Sequence, residues 1–157
     1  MPEYKDVLRE DMSKYMNVIK AMLSECEHRF SFALLQFLII TMYEYCLCFA
    51  YFELNPSMLA LNGQKVTQNH IYSYLKQQRP IYIYDFHIVC EAFMQARHSA
   101  AHLSTEHFTH AKVKAIFTMG DFFELLSTFG FPEDALESLM KIEQYVDNDN
   151  VPQKIIL

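Results

Sequence analysis

The chain has 157 residues and a mass of 18.5 kDa, the size of a single domain able to bury a sizeable core. A net charge of -6 and a pI near 5.6 exclude a protein that coats nucleic acid by charge alone, while leaving room for a small local basic site. With 52% hydrophobic residues, three glycines and five prolines, the composition argues against disorder and for an all-α body.

The opening residues, Met1 to Asp6, are charged and lead straight into an amphipathic pattern, so no cleavable secretory signal is expected. Tyr4, Leu8, Met12, Tyr15, Ile19, Leu23 and Cys26 recur at the three-and-four spacing of one helical face. A second helix, from about Phe30 to Leu54, is apolar nearly all round and long enough to cross a bilayer. Gln36 and above all Glu44 oppose a membrane span, because an acid at mid-span costs roughly 3 kcal/mol on insertion scales. The expectation is the central helix of a bundle with no membrane partner. A helix apolar on every side must be covered on every side, which points to a dimer interface.

Asn55-Pro56-Ser57 ends that helix, and Thr67 can cap a short one running to Arg79. Pro80 suits the first turn of a long helix reaching about Leu103. Ser104 or Thr105 starts another, with Phe108, Ala111, Ala115, Met119, Phe122, Leu126 and Phe129 on its face, and Gly130 stops it. Pro132 opens the last helix, to Val146. Residues 1–146 therefore read as an up-and-down bundle of four to five main helices, and residues 147–157 as a tail. Cys26, Cys46, Cys48 and Cys90 lack disulfide or metal spacing and read as buried thiols in a reducing, cytoplasmic compartment.

The stretch richest in chemistry is Arg97-His98-Ser99-Ala100-Ala101-His102, late in the Pro80 helix. At 100° per residue, His87, Glu91, Gln95, His98 and His102 form a polar stripe roughly 80° wide. Arg97 lies roughly 140° from His102, nearer the side of Phe86, Cys90 and Phe93. An arginine edging an apolar face needs a counter-charge, and Glu44, in the middle of the apolar second helix, is a candidate. Ser99, Ala100 and Ala101 leave the helix thin, so a second copy can approach closely and bring two arginines and two histidines into one cleft. A position near a helix C-terminus favours the His102 imidazolium. Lys112 and Lys114 follow closely enough to offer phosphate contacts, although a solvated helix face explains them equally well.

An arginine, a polar residue, three small residues and a histidine on a late bundle helix resemble the motif of the HEPN domain family. The resemblance covers six residues closely and the bundle loosely. It implies a homodimer whose two motifs line one cleft, and a metal-independent, cofactor-free endoribonuclease of toxin-antitoxin or phage-defence type. A controlling antitoxin or other regulatory protein is a further implied partner. Arg97 and His102 would be catalytic, with His102 transferring protons, Arg97 stabilising charge on the phosphorane-like transition state and His98 supporting. Ser104 departs from the pattern of toxins paired with nucleotidyltransferase antitoxins, which carry tyrosine two residues after the histidine. Two other readings stay open. One is a non-catalytic dimerisation or partner-binding module of the same shape; the other is a metal site from His98, His102, Glu106 and His110, spaced by fours. Tyr72, Tyr74, Tyr82 and Tyr84 suit either half-buried packing or stacking on unpaired bases.

Overall fold

The computed structural model describes residues 4–54, 68–83, 86–89, 91, 93–94, 117 and 122–147, and among these all regular structure is helical. The elements are α1 (Tyr4–His28), α2 (Phe32–Leu54), α3 (Gln68–Gln78), a 3-10 turn (Pro80–Tyr82), α4 (Phe122–Thr128) and α5 (Glu133–Asp147). Between the 3-10 turn and α4, the described residues at 83, 86–89, 91, 93–94 and 117 are also helical.

Helix α1 runs one turn's fraction past Cys26, because the His28 Nδ1–H donates to the Ser24 carbonyl at 2.8 Å and the Arg29 amide to that of Glu25. These bonds satisfy carbonyls that a helix end leaves open. Helix α2 starts at Phe32 rather than Phe30, since Ser31 is its cap: the Ser31 hydroxyl accepts from the Leu34 amide and its carbonyl from that of Leu35.

Helix α2 is the centre of the fold, packed on α1 and α3, while α1 also packs on α5. Leu35, Leu38, Ile39, Met42, Cys46 and Ala50 are sealed from solvent, as an apolar helix without a polar face requires. The Ala33–Leu54 stretch has a mean hydropathy of 1.7 and is long and apolar enough to cross a membrane, yet half of it is buried inside the fold. Its cover is incomplete at Phe37, which is 54% exposed.

Helix α3 ends where Pro80 dictates. The residue before a proline is driven out of the helical region, and Arg79 sits at φ -148°, ψ 72°. The turn after it is a 3-10 turn rather than the first α-turn expected from Pro80, with the Tyr82 amide donating to the Arg79 carbonyl and that of Ile83 to Pro80. The tight i to i+3 bond starts the chain back without an α-helical cap.

Helix α4 ends in a Schellman arrangement. The Phe131 amide reaches the Leu126 carbonyl at 3.3 Å, and the Gly130 amide reaches that of Ser127 at 3.0 Å, with Gly130 at φ +75°. Pro132 then supplies the carbonyl for the first α5 bond, to Leu136, and Glu133 and Asp134 place acids at the positive end of that helix. Phe129, just past α4, gathers the core. Its ring lies 6.3 Å from Phe49 on α2, 5.6 Å from Tyr74 on α3 and 5.7 Å from Phe86.

Candidate functional site

Of the residues singled out in the sequence, Glu44 is described and Arg97, His98, His102, Lys112 and Lys114 lie outside the described residues. So do Glu106 and His110 of the metal alternative. Among the described residues no group of three or more His, Cys, Asp or Glu side chains is placed to hold a metal ion.

The approach to the motif is described as far as Met94. Phe86, Val89 and Phe93 are buried, whereas His87, Ile88, Glu91 and Met94 face outward. Phe93 meets Tyr43 of α2 edge to face at 5.7 Å, and Phe86 meets Tyr72 of α3 at the same distance. The Tyr72 hydroxyl and His87 Nδ1 are hydrogen-bonded at 3.3 Å, which pins the start of the polar stripe to α3. Aromatic edge-to-face pairs hold direction as well as area, so this segment is oriented on α2 before the motif begins.

Glu44 is half-buried, one residue from Tyr43. Its charge is felt on the α1 side of the helix. The Tyr15 hydroxyl is held above its ordinary pKa by burial first, then by Cys48, Glu44 and Asp11. The Cys48 thiol is pushed up to about 11 by burial, then by Asp11 and Glu44. Cys26 is raised further, to about 12, by burial and Glu25. These thiols stay protonated at neutral pH and are poor nucleophiles.

A second polar feature has no mark in the periodicity. A cavity of about 460 Å³ opens between the end of α3, the 3-10 turn and α4. Two tyrosine hydroxyls build its frame, and a threonine hydroxyl is bonded within α4. The Tyr82 hydroxyl donates to Glu124 Oε2 at 2.5 Å, that of Tyr74 to the Thr128 carbonyl at 2.9 Å, and that of Thr128 to the Glu124 carbonyl at 3.1 Å. Tyr74 and Tyr82 are buried, so their rings serve packing here and their oxygens fix the rim. Gln78, Arg79 and Ser127 complete the lining and are exposed. In the sequence Arg79 is only the end of a helix before a proline, and Glu124 only the solvent side of another. The fold brings them together across 45 positions of chain, which no local pattern encodes.

No protein-family model matches the chain, and no curated protein or solved structure matches it either.

Proposed function

We propose that the chain is a metal-independent endoribonuclease of HEPN type, acting as a homodimer in the cytoplasm in a toxin-antitoxin or phage-defence setting. One observation carries the reading: in the segment leading to the motif, Phe86, Val89 and Phe93 are buried and His87 and Glu91 exposed. Continued at helical phase, the sequence puts Arg97 on the side of Phe86 and Phe93, and His98 and His102 on the side of His87 and Glu91. An arginine set apart from the histidines around one helix suits a cleft closed by a second copy, in which the groups of both motifs are gathered on one phosphate. The all-helical architecture also supports it.

The reaction is attack of an RNA 2′-hydroxyl on the adjacent phosphate. The bond from the 2′-oxygen to phosphorus forms and the bond from phosphorus to the 5′-oxygen breaks, leaving a 2′,3′-cyclic phosphate and a 5′-hydroxyl. One His102 imidazole takes the 2′-hydroxyl proton, and its counterpart in the second copy gives a proton to the departing 5′-oxygen. Arg97 stabilises the charge that accumulates on the phosphoryl oxygens, and Glu44 holds Arg97 in place. His98 supports the pair, and Lys112 and Lys114 contact flanking phosphates.

The test is cleavage of end-labelled RNA in EDTA by the purified protein beside His102→Ala. Cleavage with cyclic-phosphate ends that falls roughly 10²- to 10⁴-fold in the variant is the expected result. Intact RNA with both proteins would leave the second reading, a dimerisation or partner-binding module of the same shape.

A further inference from the structure

The cavity between α3, the 3-10 turn and α4 separates into groups that are spent and groups that are free. The hydroxyls of Tyr74 and Tyr82 hold α3 and the 3-10 turn against α4, and that of Thr128 is spent within α4. The Arg79 guanidinium, the Gln78 amide and the Ser127 hydroxyl have no partner among the described residues, and Glu124 spends one carboxylate oxygen on Tyr82 while the other is open. The walls are held while the charged groups are uncommitted, so a polar ligand supplies the partners those groups lack.

The volume, about 460 Å³, falls within the range of small-molecule sites. The chemistry narrows the class. A carboxylate only accepts hydrogen bonds, so Glu124 calls for a donor edge; a guanidinium only donates, so Arg79 calls for an anion. Among the bases, guanine alone sets two adjacent donors, N1–H and N2–H2, on its Watson–Crick edge, both able to converge on the two lone pairs of the open Glu124 oxygen, and a nucleotide carries its phosphate at the other end. We propose that this cavity binds a guanine nucleotide, its base edge on Glu124 and its phosphate on Arg79, with Gln78 and Ser127 available to the sugar and to base O6. The ligand is either a free nucleotide or one unpaired guanosine of an RNA chain. This assignment does not rest on the nuclease reading, because none of its residues belongs to the Arg97 to His102 motif.

Isothermal titration of the full chain with GMP, guanosine, AMP and inorganic phosphate tests it. GMP is expected to bind best, with guanosine weaker and AMP and phosphate weaker still. Arg79→Gln should bring GMP down to the level of guanosine. Glu124→Gln keeps an acceptor for Tyr82, and so keeps the frame, yet should lose roughly tenfold or more for GMP while leaving inorganic phosphate unchanged. Circular dichroism and thermal melts of both variants establish that they are folded. A His102→Ala chain titrated with a short RNA holding one guanosine, and with its adenosine counterpart, separates the two sources. Preference for the guanosine oligomer over GMP assigns an RNA base, and the reverse assigns a free nucleotide. Absence of heat with millimolar GMP, equal binding of AMP, or GMP affinity indifferent to both variants would each overturn the proposal. None of these results depends on whether RNA is cut.

Discussion

The Tyr82 hydroxyl donates to Glu124 Oε2 at 2.5 Å, joining the 3-10 turn that follows α3 to helix α4 across 42 residues of chain. A buried tyrosine thereby fixes an exposed carboxylate. Tyr82→Phe should cost about 1.5 kcal/mol, the low end of the range for a hydrogen bond to a charged group, because water can replace the lost donor at the exposed Glu124. Urea unfolding followed by circular dichroism should show the lower midpoint with an unchanged slope.

Gly130 combines φ +75° with a neighbour that leaves no room for a side chain. An added Cβ would meet Phe49 Cε2 at 2.6 Å, and the Phe49 ring is held by Tyr74 and Phe129. Gly130→Ala should therefore destabilise by more than the roughly 1–2 kcal/mol of a left-handed alanine alone. A fall in melting temperature larger than that of the exposed control Ser127→Ala is the expected outcome.

Phe129 meets α2, α3 and Phe86, so truncation empties the point where they converge. Phe129→Ala should cost about 3–5 kcal/mol. A loss of cooperative unfolding, or a midpoint shift far beyond that of Met140→Ala on the exposed side of α5, would register it.

The thiols give a pH signature. Cys48 and Cys26 titrate near 11 and 12 in the fold against 9.0 for the free group. Their contribution to stability is complete below pH 9 and is lost as pH rises towards 11 and 12, because the unfolded chain releases these protons first. Stability measured by urea titration should fall across that window. Both thiols should resist alkylation at pH 8 until denaturant is added.

The homodimer proposed for the nuclease predicts a light-scattering mass of twice 18.5 kDa at micromolar concentration. A mass of 18.5 kDa that persists on concentrating the protein would remove the shared cleft.

Local physics was enough for α1, α2 and the end of α4. Spacing by threes and fours placed α1, the unbroken apolar run placed α2 at the centre, and Gly130 marked the stop that its positive φ supplies. The polar stripe at His87 and Glu91 was legible for the same reason, since exposure follows helical phase. Three things needed the tertiary structure. Ser31 moved the start of α2 because a cap is chosen by which hydroxyl reaches a free amide, and the 3-10 turn after Pro80 arose from a return path that sequence spacing does not specify. The cavity of Arg79 and Glu124 depends on chain reversal bringing the end of α3 against α4. Periodicity records which face of a helix leaves water; it carries no information about which other helix that face will meet, and a site made of several elements exists only after that choice.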